Sequence, residues 1–269
     1  MPSSFPGSIP EDQYVDLTDR FLTDTDSRRL RRDHPNLREC PTCGGVGEYQ
    51  WKGETVECDC RSQIQLHKHY LQANIGLMYQ RLDWGDYTGD PEALQVIVTW
   101  LTHHQRMIRA GVGVILFGTF GTGKSMLASL AAKELVKLGY RPFFSTFAGA
   151  IDLFTKGWGD QEEKANFERR ILQSDVFFLD DLGKEFKTKN NLAESTFDHI
   201  LRERVIAGRP TFITTNLTEA EMGVGYGSAV LSLLRETSIQ HEMSGDDWRA
   251  SAQERKISEA VRDDVRKVV

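Results

Sequence analysis

The chain has little that would carry it into a membrane. Across its 269 residues the longest uninterrupted apolar runs are strand-sized, far short of the roughly 20 residues that span a bilayer. Residues 1–13 also lack a basic stretch followed by an apolar one, the pattern of a secretory leader. Both absences point to a cytoplasmic chain with no membrane partner. Positive charge is in short supply too: 33 Lys and Arg stand against 39 Asp and Glu, a net charge of -6. A wholly basic surface is excluded, so any nucleic-acid contact is local. One candidate is Arg28, Arg29, Arg31 and Arg32, which read equally as a solvated helix face paired with Asp24 and Asp26. Cysteine is scarce, at four residues, and no N-K-x-D element for reading guanine is present.

What remains is ordinary for a globular protein, 39% hydrophobic and 27% charged, at a length that allows one large domain with a small appendage. Residues 1–36 form a polar tail that permits a helix over 10–30, with Tyr14, Leu17, Phe21 and Leu22 at amphipathic spacing. All four cysteines then fall within one short span, as Cys40-Pro41-Thr42-Cys43 and Cys58-Asp59-Cys60. Two close pairs separated by a short loop supply four thiolates to one tetrahedral Zn²⁺, and Gly44, Gly45 and Gly47 let backbone amides turn toward sulfur. The second pair is C-x-C, tighter than the usual C-x-x-C. Residues 48–51 and 54–57 flank Lys52-Gly53 as the arms of a hairpin. Disulfides are the alternative, set aside because a cytosolic compartment keeps thiols reduced. Four thiolates leave no open position for water, so the zinc is structural. A helix over 64–79 follows, with His67 and His69 facing solvent, then a turn-rich linker over 83–91 and a second helix over 92–109.

The rest of the chain converges on Gly118-Thr119-Phe120-Gly121-Thr122-Gly123-Lys124-Ser125, a complete G-x-x-x-x-G-K-[ST] between an apolar run and a helix-like segment. Glycines let such a loop wrap a polyphosphate and aim its amides at the oxygens. The helix start adds unpaired donors. Lys124 would reach the β- and γ-phosphates and Ser125 would offer its hydroxyl to Mg²⁺. From there strands and helices alternate, the pattern of a parallel sheet covered on both faces. Strands are expected over 112–117, 141–146, 175–183 and 211–216, with helices over 126–138, 148–156, 162–173 and 191–207. The strand over 175–183 ends in Asp180 and Asp181, about 55 residues past the phosphate loop. Parallel sheets place ligands at the C-terminal strand ends, so Asp180 would hold Mg²⁺, directly or through water, and Asp181 would polarise an attacking water. Asn216, after the next strand, either orients that water or caps the turn over 217–221. With no guanine-reading element, the expected nucleotide is ATP.

Together GTFGTGKS, VFFLDDLG and TFITTNLT resemble the AAA+ ATPases of the DnaC, DnaI and IstB group, with Asp247-Trp248-Arg249 extending the likeness over residues 77–249. The resemblance implies five parallel strands flanked by helices, an ATP site completed between subunits, and assembly into a ring or spiral. It makes Lys124 and Ser125 the Walker A pair, Asp180 and Asp181 the Walker B pair, Asn216 the first sensor and Arg249 the second. The chain then divides into a tail (1–36), a four-cysteine zinc domain with linker helix (37–76), an AAA+ domain (77–249) and a C-terminal helix (250–269). That helix spaces Ile257, Val261 and Val265 four apart, to pack on its own domain or on another subunit. The pattern departs at the arginine finger, where Leu233 stands and Ala229 replaces an earlier arginine. Arg235 or Arg204 substitutes, or hydrolysis is slow, since a missing finger costs about 10³ to 10⁵ in turnover. The implied function is an ATP-switched loader that grips a hexameric DnaB-type helicase and delivers it to single-stranded DNA, contacted through Lys184, Lys187 and Lys189. The alternative is an IstB-like transposition helper that assembles on DNA and recruits a transposase.

Overall fold

A computed structural model describes residues 5–17, 40–183 and 191–248, and beyond them positions 253, 254, 257, 258, 261 and 268. The arginines at 28, 29, 31 and 32 with Asp24 and Asp26, the apolar Phe21 and Leu22, the lysines at 184, 187 and 189, Val265 and Arg249 all lie outside the described residues.

The cysteine module is built on a hairpin of β1 (Glu48–Trp51) and β2 (Glu54–Glu57), in register from Glu48 opposite Glu57 to Trp51 opposite Glu54. Lys52 and Gly53 both take positive φ, 51° and 87°, the two-residue turn whose twist matches paired strands. Helix α1 (Asp59–Gln72) begins inside the second cysteine pair. The short α2 (Leu77–Gln80) follows, then α3 (Pro91–Thr102), started by the Asp90 carboxylate on the amides of Glu92 and Ala93 with Pro91 at its first position. The single helix expected over 92–109 is two, because His103 leaves helical geometry before α4 (His104–Arg109).

The nucleotide-binding part runs β3 (Gly113–Phe117), α5 (Lys124–Lys137), β4 (Pro142–Thr146), α6 (Phe147–Lys156), α7 (Gln161–Phe167), a π-helical turn over Glu168–Leu172, β5 (Val176–Leu182), α8 (Leu192–Ile206), β6 (Thr211–Thr215), α9 (Glu219–Tyr226), α10 (Ser228–Thr237) and β7 (Ser238–Glu242). The five long-range strands pair in the order β4-β5-β6-β3-β7, every neighbour parallel. Alternation along each strand sends one set of side chains to each face. Val114, Leu116, Phe144, Phe178 and Phe212 pack on one side with α1, α3 and α5. Ile115, Phe143, Phe177, Leu179 and Ile213 pack on the other with α6, α8, α9 and α10. Registered pairs stack ring on ring, Phe143 on Phe177 at 6.4 Å and Phe144 on Phe178 at 6.0 Å. Each buried phenylalanine of this kind contributes about 2 kcal/mol by removing its surface from water.

Several expectations are corrected. His67 and His69 do not face solvent: they are 1% and 6% exposed, and His67 Nδ1 lies 2.6 Å from Gln80 Oε1. The reason is that α1 is covered on more than one side, by the cysteine cluster at its start and by the main core at Tyr70. Packing also continues upstream of Leu77, where the Phe144 amide donates to Ala73 O at 2.9 Å and Asn74 Nδ2 donates to Phe144 O at 2.7 Å. The described part of the N-terminal tail docks on its own chain with only a 3₁₀ turn at Glu11–Gln13. Tyr14 donates to Glu134 Oε1 at 2.6 Å and Phe5 packs edge-on against Trp84. In the C-terminal stretch Ile257 and Val261 are 55% and 81% exposed, while Val268 is buried and donates its amide to Gln63 Oε1 at 2.7 Å. Of the stripe, the described Ile257 and Val261 therefore do not pack on their own domain; among the described residues of this stretch Val268 is the one that does.

Candidate nucleotide site and cysteine cluster

The phosphate loop fills the gap between β3 and α5, and its backbone explains its glycines. Gly121 has φ 80° and Gly123 has φ 90°, conformations L side chains rarely hold. A Cβ at Gly121 would also strike the Asp247 carboxylate, and Trp248 donates its amide to Gly121 O at 3.1 Å. The 247–248 segment thus lies directly on the loop. Lys124 is buried, and its ammonium donates to Gly118 O at 2.9 Å, Thr119 O at 2.6 Å and Thr122 Oγ1 at 3.2 Å. Phe120, at the loop's crest, is exposed.

Opposite the loop stand the ends of β5 and β6. Ser125 Oγ donates to Asp180 Oδ1 at 2.7 Å, and Thr214 Oγ1 donates to the same oxygen at 2.5 Å. A hydroxyl and a carboxylate in contact form an oxygen donor set suited to a hard divalent cation. Asp181 takes φ 58° beside a register shift between Leu179 and Leu182, and its amide donates to Thr214 Oγ1 at 3.1 Å. The left-handed backbone at Asp181, beside the bulge, costs about 1 kcal/mol. Asn216 follows β6 and is half-buried. Helix α9 has its own cap, a reciprocal box of Thr218 and Glu221, so capping there does not require Asn216.

Two residues of this site escaped the sequence reading. Thr214 ties both aspartates together; its one signal was its place two positions before Asn216, on the same face. Asp90 was read as linker, yet its Oδ2 accepts from the Ser244 amide at 2.8 Å, Ser244 Oγ at 3.2 Å and His241 Nε2 at 3.3 Å. That one carboxylate joins the start of α3 to the segment lying on the phosphate loop. Burial raises its pKa, but the amides of Ser244, Ala93 and Glu92 and the His241 contact outweigh it and hold the group at about 2.

The arginines near the expected finger separate clearly. Leu233 packs half-buried against the core and Ala229 is exposed. Arg235 is exposed and donates Nε to Glu219 Oε1 at 2.6 Å. Arg204 is 0% exposed at the opposite end of the sheet, its guanidinium bonded to Ile171 O, Ser174 O and Pro210 O. A residue so enclosed cannot act on a neighbouring subunit, which corrects its candidacy; Arg235 alone of the pair has the exposure for it.

Away from this mouth the four cysteines form a cluster whose sulfur atoms all lie within 4.8 Å of one another. Cys40 and Cys58 sulfurs are 3.6 Å apart and those of Cys43 and Cys60 3.4 Å apart. A tetrahedron of Zn–S bonds has edges of roughly 3.8 Å, so the spacing suits one metal. The Gly47 amide donates to Cys43 Sγ at 3.2 Å. Burial raises the Cys43 thiol, yet Gly47 together with the Cys60 and Cys58 thiols holds it at about 6, in the thiolate range at neutral pH.

Several known proteins resemble this chain in sequence or fold. The replicative helicase loader DnaI of Bacillus subtilis (strain 168) is 26% identical over 182 residues, 63% of this chain and 56% of DnaI, so the match spans little more than half of that relative. The uncharacterized protein YdaV of Escherichia coli (strain K12) is 22% identical over 82% of this chain and 88% of its own. Among solved structures the DnaC helicase loader superposes with a TM-score of 0.55 at 23% identity, over 63% of this chain and 100% of that one, a likeness of fold. The family model described as IstB-like ATP binding protein matches residues 54–256, about three quarters of the chain, and the protein therefore belongs to that ATP-binding family.

Proposed function

We propose that this protein is an ATP-switched loader of a hexameric DnaB-type replicative helicase onto single-stranded DNA. The observation that carries the switch is the convergence of the Ser125 and Thr214 hydroxyls on one Asp180 oxygen, opposite a buried lysine that donates to Gly118 O, Thr119 O and Thr122 Oγ1 of the phosphate loop. The loader reading is supported by likeness to DnaI and by a four-cysteine module ahead of the sheet.

Lys124 exchanges its loop carbonyls and Thr122 hydroxyl for phosphate oxygens, and the amides of residues 119–123 cradle the same phosphates. Ser125 and Asp180 would hold Mg²⁺, which would supply positive charge to offset that developing on the phosphates. Thr214 keeps Asp180 aimed, Asp181 accepts a proton from the attacking water, and Asn216 orients that water. By the family resemblance Arg249 would supply a second phosphate contact. With Leu233 unable to offset charge, turnover is slow unless Arg235 of a neighbour assists, and slow turnover suits a switch. Cys40, Cys43, Cys58 and Cys60 would hold Zn²⁺ and rigidify the helicase-gripping module in a ring or spiral of copies.

The matched family also bears the IstB name, which keeps a second reading, a transposition helper that assembles on DNA and recruits a transposase. Co-purification with the host's DnaB-type helicase, with and without ATP, separates them. Capture that depends on ATP and fails in Lys124→Ala supports the loader; ATP-dependent filaments on duplex DNA without helicase affinity support the helper.

A further inference from the structure

The nucleotide mouth occupies the C-terminal ends of the strands. At the other end, where β4, β5 and β6 begin, a groove of about 500 Å³ opens between α1 and the base of the sheet. Arg141, Arg169, Arg170 and Arg209 line it, and among the described residues no Asp or Glu does. Four guanidinium groups around one concavity are unexpected in a chain of net charge -6. Each is steadied from within. Arg141 pairs with Asp175 at 3.2 Å, Arg170 lies over the Phe143 ring at 5.7 Å, Arg209 donates to Leu172 O at 2.9 Å and Arg169 donates to Asn166 Oδ1 at 3.3 Å. Asp175 neutralises one charge, and the other three meet no carboxylate in these contacts. A guanidinium carries five N–H donors, so these contacts leave most of them available.

We infer that this groove binds the phosphate backbone of single-stranded nucleic acid. The planar fork of arginine matches a phosphate with two parallel hydrogen bonds, and its charge is held without heavy hydration. Half-buried Tyr140 forms part of the wall and supplies an aromatic surface beside the charges, the pairing that single-strand sites use. A concave slot of this volume accepts one strand and not a convex duplex. An acidic peptide is disfavoured because the adjacent edge of β4 is already bonded: Phe144 gives its amide to Ala73 and its carbonyl to Asn74, leaving no free edge there for strand addition. The inference deepens the loader reading by giving the strand a seat on the face opposite the nucleotide. It rests on that reading only for why a single strand should be present.

The test is fluorescence anisotropy of a labelled oligo-dT against the full chain over a salt series, comparing wild type with the Arg169→Ala, Arg170→Ala double variant. Affinity falls at least about tenfold and the slope of log affinity on log salt becomes shallower by about 1.4, the contribution of two single-strand phosphate contacts. Arg169→Lys with Arg170→Lys keeps most of the slope, and an unchanged urea midpoint shows that the alanine pair folds. Unchanged affinity and slope in the alanine pair overturn the inference, as does displacement of the oligonucleotide by poly-glutamate at equal charge. Helicase capture is scored separately: if capture persists while oligonucleotide binding ignores the arginines, the groove is wrong and the loader stands. If capture fails while the arginines matter, the reverse holds.

Discussion

Two cations are buried at opposite ends of one parallel sheet, and their surroundings differ in the way that separates mechanism from architecture. Lys124 and Arg204 each donate to backbone carbonyls and a threonine hydroxyl. Gly118, Thr119 and Thr122, which accept from Lys124, belong to a glycine-bearing loop that can reshape. The acceptors of Arg204 belong to the π-helical turn, the residues leading into β5 and the start of β6, all locked into the core. Burial, with Arg209 nearby, lowers the Arg204 pKa to about 9 against the opposing pull of Asp175, which leaves it charged at neutral pH. A buried cation is poised for chemistry when its present partners can be replaced by a ligand's; otherwise it is a rivet.

The comparison breaks most visibly at the rivet. Arg204→Met leaves the carbonyls of Ile171, Ser174 and Pro210 without their donor, and destabilises the fold by about 3 to 5 kcal/mol in urea unfolding. An unchanged midpoint would remove the distinction. Asp90 sharpens it next. Its pKa is lowered in the fold to about 2 from 3.8, so its contribution is present above about pH 4 and is lost as pH falls toward 2. Asp90→Asn should cost about 2 kcal/mol at pH 7, with the gap from wild type closing in acid; a pH-independent gap would contradict the assignment. Thr214→Val, which keeps shape and removes the hydroxyl shared by Asp180 and Asp181, should cost about 1 kcal/mol in stability and lower turnover more than ATP affinity. Equal losses in both would show that Thr214 serves binding alone. Smallest of all, a zinc chelator should melt the hairpin of β1 and β2 yet leave ATP affinity within about twofold, because distant sites act independently; a large loss would mean that the two modules are coupled.

Much of the nucleotide mouth was legible because its chemistry is local in sequence. Eight consecutive residues carry the phosphate loop, and an apolar run ending in two aspartates marks the facing strand. Paired cysteines are legible for the same reason. What escaped depends on tertiary neighbours. Residues 238–242, SIQHE, carry little apolar signal because β7 is an edge strand, half-buried and paired only with β3. His67 and His69 looked solvated because nothing in their own helix shows that the sheet's covering layer and the cysteine cluster both reach it. Arg204 resembled a candidate finger from its place before the TTN strand; only its carbonyl partners reveal the opposite role. Asp90 stood in a turn-rich linker, and nothing local pointed to its tie to Ser244, which lies 154 positions away.

The most direct measurement is calorimetric titration of Mg-ATP into wild type and Lys124→Ala, with urea unfolding run on both. The account predicts that the variant folds with a similar midpoint and binds ATP at least about 100-fold more weakly, near 2.7 kcal/mol. Equal affinity in the two proteins would contradict it, and with it the claim that this lysine leaves its loop for a phosphate.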